Sequence, residues 1–405
     1  MIISDGTVEA HVGPRSLAGA TVLQIVPSLR KSSIARMALN VAHALVQSGG
    51  RAIVAGEDGT LVGELKAFGG EWLRYSDTTF NPIKLRRNVE LLAKLLTTEH
   101  IDIVHARSAG AAWSALPVAE RLNVKLVTEL SEIPYAHMLL GAHYLRALSS
   151  GDRVVTHSAF DARPMIERYR ISPQRVSVIP RIIDINLFDP SRVDAGRVGE
   201  LRQIWGVPSG ARVVLVPGRV APGNGQIMLV ETVRILAENG MRGVTFVLAG
   251  DDRRHPRHVR ALLQRAQEAG VAALFRLVGH CPDMPAAFAA ADFIVVPYSK
   301  PPVSGRMVAE AQAMARPVIA SSVGALPENM LAPPRVPDDL RTGWVVPPDD
   351  PGELARVLGA ALALDDEAYR ALGMRARKFA AFMFTPESIV AATLEVYNSL
   401  LQAET

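Results

Sequence analysis

Short apolar runs alternate along this chain with longer stretches whose apolar residues recur every three to four positions. The first run, 21–27 (TVLQIVP), predicts a strand. Ile34, Met37, Val41, Ala44 and Leu45 then fall on one face of a helix over 33–48, and Gly49-Gly50 turns the chain into a strand at 51–55. A helix at 61–68, a strand at 71–75, a long amphipathic helix at 82–99 and a strand at 101–106 (IDIVHA) follow. A helix at 108–122, strands at 125–129 and 152–157, a helix at 161–168 and the run 176–180 (VSVIP) complete the first half. Residues 184–202 read as a polar, irregular linker.

The pattern then restarts. Strands are predicted at 211–218 (ARVVLVPG), 244–250 (VTFVLAG), 275–278, 290–297 and 317–321, with helices at 226–239, 258–269, 284–290 and from Arg306. Helices at 353–363 and 367–382 and a last amphipathic helix at 386–401 end the series. Strands that alternate with helices imply parallel, doubly wound sheets, so the chain is α/β with two Rossmann-like domains, 1–185 and 200–380. Ligands in such sheets bind at the carboxyl ends of the strands, which makes the cleft between two domains the natural site.

At 405 residues the chain is too long for one ordinary core, in line with two domains. A hydrophobic content of 49% with 21% charged residues is globular. The net charge of only +4 argues weakly for anionic ligands or an anionic membrane surface. No basic run is interleaved with aromatics, so nucleic acid is not an expected partner. The single cysteine, Cys281, rules out an intramolecular disulfide and a cysteine-based metal cluster, and fits a reducing compartment. The first 20 residues lack the basic-then-apolar plan of a signal peptide. No apolar run reaches ~18 residues, so no spanning helix is expected. A cytoplasmic protein is expected, with peripheral contact at the inner face of the membrane left open.

The segment 296–328 carries the most chemistry. A strand, a loop with Gly305 and a helix from Arg306 form an anion site, because free N–H groups and the helix dipole both favour negative charge there. Glu310 sits one turn in, where a carboxylate accepts hydrogen bonds from vicinal hydroxyls. Phosphate beside a hydroxyl-reading acid suggests a nucleotide-sugar. His255 and His258 with Asp251 and Asp252 lie in DDRRHPRH among arginines and read as a solvated loop, so no metal is expected. His105 reads as a satisfied residue at a strand end, and 102–107 as lining the acceptor side. No G-x-x-x-x-G-K-[ST] loop or G-x-S-x-G elbow is present, and Gly223-Asn224-Gly225 is a turn signal.

In order, PSL, DIVHARS, VIPR-x-x-D-x-x-x-F, VPGR, LAGD, VGHCPDMPAAFAAAD, G-x-x-x-x-E-A-x-A-x-x-x-PVIA and G-x-x-x-E resemble the family-4 glycosyltransferases (glycosyltransferase group 1) of GT-B fold, from about Thr21 to Leu401. The resemblance implies a retaining, metal-independent enzyme with a nucleotide-diphosphate sugar as donor substrate, no separate cofactor, and a glycan or lipid-linked acceptor. It implies a donor site in the second domain, an acceptor side in the first, and a last helix that crosses back to the first. Arg219 matches the diphosphate arginine and Glu310 the ribose-reading glutamate, the two residues expected to carry catalysis. Gly218, Gly250, Gly279, Asp283, Gly305, Arg306 and Met307 are expected around the donor, and Lys31, Ser32, Arg107 and Ser131 on the acceptor side.

Four positions depart from the family pattern. Pro302 stands where a sugar-reading glutamate is expected, and Asn224 where a lysine joins the arginine on the diphosphate. Ser32 and Ser33 replace a Gly-Gly pair, and Ser131 stands near an expected histidine. Loss of one catalytic donor typically costs about 2.7–4 kcal/mol. Lys300 and Arg306 are candidates to replace the missing charge. The rival readings are a catalytically degenerate relative that binds a nucleotide or a partner, and a nucleotide-sugar epimerase on the same fold.

Overall fold

The computed structural model describes residues 17–76, 82–130, 146–302 and 305–402. The chain divides into two compact units, one running to Ile182 and resuming at Pro386, the other Ile183–Thr385.

The first unit holds seven parallel strands: β1 (Thr21–Ser28), β2 (Arg51–Glu57), β3 (Glu71–Arg74), β4 (Ile103–Ala106), β5 (Lys125–Glu129), β6 (Arg153–Thr156) and β7 (Val176–Val178). Their order is β3-β2-β1-β4-β5-β6-β7. Alternation along β1 sends its side chains to opposite faces. Val22 and Val26 join a core with Ala38, Val41 and Leu45 of the Ser33–Gln47 helix. Leu23 and Ile25 join another with Leu92, Leu96, Ala112 and Ala115 from the Pro82–Thr98 and Ala109–Leu122 helices. The Pro386–Gln402 helix belongs to the first of these cores through Ile389, Leu394, Tyr397 and Leu400.

The second unit holds β8 (Arg212–Pro217), β9 (Val244–Ala249), β10 (Phe275–Gly279), β11 (Phe293–Val296), β12 (Val318–Ser321) and β13 (Gly343–Val346), all parallel, in the order β10-β9-β8-β11-β12-β13. The doubly wound plan repeats. Val213 and Leu215 face Ala287, Phe288, Val308 and Ala311, while Val214 and Val216 face Leu229, Val233, Leu354 and Leu358. Two parallel-sheet α/β domains are thus present, as the alternating pattern predicts.

Two local expectations fail. The stretch 184–202 is not an irregular linker: its second half enters the helix Ala195–Ile204, capped by Asp194, whose carboxylate accepts from the N–H groups of Gly196 and Arg197. None of the residues of that helix is fully buried, and Val198 and Leu201 alone pack partly against the core, too narrow a stripe for the helix to announce itself. Strand β13 also went unpredicted. It is a four-residue sheet-edge strand, GWVV, too short for periodicity to register.

Among the described residues, 366–402 is long and apolar enough to pass for a membrane span by composition. It consists of two helices, Asp366–Met383 and Pro386–Gln402, which lie in different units. Ala376 and Ala380 are buried in the first helix, and Ile389, Leu394 and Tyr397 in the second.

Candidate functional site

The donor-side residues expected from sequence lie at the carboxyl ends of β8–β11 and on the helix after β11. Beyond β8 the chain passes through Gly218, where φ is +114° and a Cβ would overlap the Tyr298 hydroxyl. Gly218 donates its N–H to Ala249 O at 2.9 Å. Gly250 carries no side chain because the Gly218 carbonyl occupies that space. The next carbonyl, that of Arg219, accepts from Asn224 Nδ2 at 2.8 Å and from Gln226 Nε2 at 2.9 Å. The turn closes at Gly225, where φ is +75° and a Cβ would run into Pro297 O. Ser299 and Lys300 donate their N–H groups to Gly223 O at 3.0 and 3.1 Å. The loops after β8 and β11 therefore form one body.

The Arg219 side chain emerges from this body exposed. Burial raises the Tyr298 phenol to about 12, and the Arg219 charge opposes that rise, so the two groups share one field. Met307 completes the cluster, with its Sδ 3.7 Å from Tyr298 Oη.

Gly305 caps the helix Arg306–Ala313 without a side-chain hydrogen bond. A Cβ there would overlap the Asn329 amide, which is held by Ala325 O at 2.6 Å. Glu310 is 8% exposed and accepts from Arg306 Nε at 2.5 Å. Burial pushes the Glu310 carboxyl up and Arg306 opposes it, with a raised value as the outcome. Arg306 is therefore paired along its own helix. At position 302 the expected acid is replaced by a ring: Pro301 and Pro302 pack against Gly324, where φ is +58°.

Two expected donor residues stand next to this cluster in different ways. Gly279, with φ of +69°, ends β10 in register with Ala249, one residue before Gly250. Asp283 caps the Met284–Ala290 helix through the Ala286 N–H at 3.1 Å and pairs with Arg197 at 2.5 Å. Burial pushes its carboxyl up, but those two partners hold it below the usual range. Its carboxylate is engaged in the framework.

The Asp251–His258 stretch behaves as a loop and helix start. Asp251 accepts from the Arg253 N–H and pairs with Arg254 at 3.1 Å. Among the described residues, no group of three or more His, Cys, Asp or Glu is placed to hold a metal ion.

In the first unit Lys31 is exposed, and Ser32 caps the Ser33–Gln47 helix by accepting from Ala35 N at 3.2 Å. Ser131 lies outside the described residues. Arg107 is not on a surface. It is 1% exposed, paired with Glu129, and donates from Nε and Nη2 to Gln24 Oε1 at 3.0 and 2.9 Å. Gln24 in turn donates to Ala38 O at 2.9 Å. His105 adds to this buried network, with Nε2 3.2 Å from Glu129 Oε2 and Nδ1 2.6 Å from Tyr397 Oη. His157 Nε2 approaches the other Glu129 oxygen at 3.5 Å. Burial disfavours the Glu129 anion, but Arg107 and the two histidines outweigh it and keep the carboxyl well below its ordinary value.

Sequence reading passed over Tyr298, Gln226 and Tyr397. The first two had a usable signal: a polar residue two positions after a buried strand, and one directly after a turn glycine.

Comparison with known proteins adds to this geometry. Residues 34–187 match the family described as Glycosyltransferase Family 4, and residues 211–363 the family described as Glycosyl transferases group 1. D-inositol 3-phosphate glycosyltransferase of Xylanimonas cellulosilytica is 31% identical over 319 residues, which span 73% of this chain and 71% of the relative. The protein of that description from Salinispora arenicola is 29% identical over 331 residues, or 75% and 70% of the two chains. Among solved structures, a glycosyltransferase from Rickettsia africae is similar with a TM-score of 0.74 and 25% identity, over 95% of this chain and 99% of that one. HepE of Anabaena, solved with UDP and glucose, has a TM-score of 0.64 at 21% identity, over 95% and 100%.

Proposed function

This chain belongs to the glycosyltransferases that join a family 4 first half to a group 1 second half, and from that premise we propose that it moves a sugar from a nucleotide-diphosphate sugar to a glycan, lipid or other envelope acceptor with retention of configuration. One observation carries the donor reading. Arg219 stands exposed on a loop fixed by Asn224, Gln226 and Pro297, in the same unit as the largely buried carboxylate of Glu310.

In this reading Arg219 pairs with the diphosphate, where negative charge grows as the sugar–phosphate bond breaks. The N–H groups that open the Arg306–Ala313 helix meet the phosphates, and a Glu310 oxygen accepts from the ribose hydroxyls while Arg306 steadies the carboxylate. The anomeric carbon loses its bond to the diphosphate oxygen and gains one to the acceptor oxygen. The acceptor's proton leaves with the diphosphate. HepE, a relative in fold, was solved with UDP and glucose, which supports a nucleotide-sugar as donor. The acceptor side is assigned to the first unit, with Lys31 and Ser32.

A second reading, a nucleotide-binding relative without turnover, draws on two features. Pro302 offers no acceptor where a sugar-reading acid is expected, and Asn224 is turned onto Arg219 O. Calorimetric titration with UDP, GDP, ADP and their sugar conjugates tests both. Binding of one diphosphate, weakened by Arg219→Ala and by Glu310→Ala, supports the donor site, and transfer to an acceptor separates the first reading from the second. No binding of any nucleotide overturns both.

A further inference from the structure

We propose that Lys300, not residue 224, brings the second positive charge to the leaving diphosphate, an assignment that rests on the donor reading above. A departing diphosphate carries more charge than one guanidinium neutralises, so a cation beside Arg219 stabilises it further. Residue 224 does not supply it. Asn224 is uncharged, and its amide nitrogen points to Arg219 O at 2.8 Å, where it holds the loop. Arg306 is engaged by Glu310 at 2.5 Å.

Lys300 has the right course. Its N–H is fixed on Gly223 O at 3.1 Å, which anchors the residue to the turn that carries Asn224. Its stem then lies across Gly223. A Cβ on that glycine, where φ is +89°, would meet Cδ, Cγ and Cβ of Lys300 at 3.0, 3.1 and 3.2 Å. The glycine thus leaves a track for the stem, and the ammonium stands two bonds beyond Cδ. Lys300 is exposed, and among the described residues no carboxylate forms an ion pair with it. The cation then sits on the segment packed against the turn, and the Asn224 amide fixes the Arg219 carbonyl.

The experiment compares UDP, GDP and ADP, each against its monophosphate, by calorimetry on the wild-type chain, Lys300→Met and Lys300→Arg. Methionine keeps an unbranched stem over Gly223 and removes the charge. Lys300→Met is expected to cut the preference for the diphosphate about 10- to 100-fold, the size of a hydrogen bond to a charged group, with the monophosphate affinity unchanged. Lys300→Arg is expected to keep most of it. A preference that survives in Lys300→Met overturns the assignment, as does an equal loss for both phosphates, or a loss in Lys300→Arg as deep as in Lys300→Met. A wild-type chain that prefers no diphosphate over its monophosphate overturns the donor reading, and this assignment with it.

Discussion

Tyr397, in the helix that resumes the first unit, places its hydroxyl 2.6 Å from Nδ1 of His105 on β4, across 292 positions of sequence. The direction of that hydrogen bond follows from the opposite side of the ring. Nε2 faces the Glu129 carboxylate at 3.2 Å, and an ionised carboxylate only accepts. Placing the imidazole proton on Nε2, toward that carboxylate, leaves Nδ1 as the acceptor of the Tyr397 hydroxyl. Burial raises the Tyr397 phenol well above its ordinary value, so it stays protonated for this role.

Tyr397→Phe keeps the ring in its core and removes the donor from a fully buried nitrogen. The variant is expected to lose about 1–3 kcal/mol of stability, the cost of one unsatisfied buried polar group. Urea denaturation at pH 7 measures it, and an unchanged midpoint would show that the hydrogen bond contributes nothing.

The same network sets a pH dependence. Burial, then the Arg107 charge, lowers the His105 value to about 4, while Glu129 opposes them and His157 adds to the lowering. The unfolded chain binds a proton at an ordinary histidine near 6.5, and the folded chain does not until about 4. Stability is therefore full above 6.5 and falls as the pH drops through that window. The depressed Glu129 acts in the same direction lower down, as pH falls from the ordinary carboxyl value through its folded value. A melting temperature that declines between pH 7 and 4.5, with a shallower decline in His105→Gln, is the expected outcome.

Glu129→Gln leaves the buried Arg107 charge without its counter-ion, at a cost of about 3–5 kcal/mol. The double variant with Arg107→Met is expected to be more stable than Glu129→Gln alone, because the stranded charge is gone. Guanidinium denaturation of the three chains decides it. A double variant no better than the single would show that the charge is not the source of the loss.

Gly225→Ala tests the body under Arg219. An alanine there pays the left-handed backbone penalty of about 1–2 kcal/mol and also collides with Pro297 O. Gly240 has a similar φ of +89° with nothing within 4 Å of a Cβ, so Gly240→Ala carries only the backbone term. Gly225→Ala is expected to destabilise more than Gly240→Ala and, alone of the two, to weaken nucleotide binding. Equal midpoints and equal titrations would contradict the packing described.

The doubly wound plan was legible because buried parallel strands such as Val244–Ala249 are nearly unbroken apolar runs between turn glycines. Gly305 was legible as the glycine that opens a helix after a buried strand, whereas the tight approach of Gly218 and Gly250 to each other was not, since both read as strand ends. Partnerships across distant segments left no such trace. Nothing near Arg107 in sequence says that Gln24 and Glu129 will enclose it, and only the folded sheet reveals that the expected acceptor-side arginine is an interior ion. Asn224 and Lys300 show the same limit on a smaller scale. The substitution is visible in the sequence, but the packing of Lys300 on Gly223 is not.

The first unit is discontinuous: Ile389, Leu394, Tyr397 and Leu400 complete a core begun by Val22, Val26 and Leu45. On the ribosome the earlier-made domain usually folds first, whereas here the core of that domain receives its last side chains at the end of synthesis. Residues 183–385 form a contiguous unit that has all its parts once they have emerged. Until residues 386–402 are made, the sheet of the first unit lacks the contribution of Ile389, Leu394, Tyr397 and Leu400 to its core, and His105 lacks its Tyr397 partner. A chain that ends between 183 and 385 leaves the first unit without its closing helix.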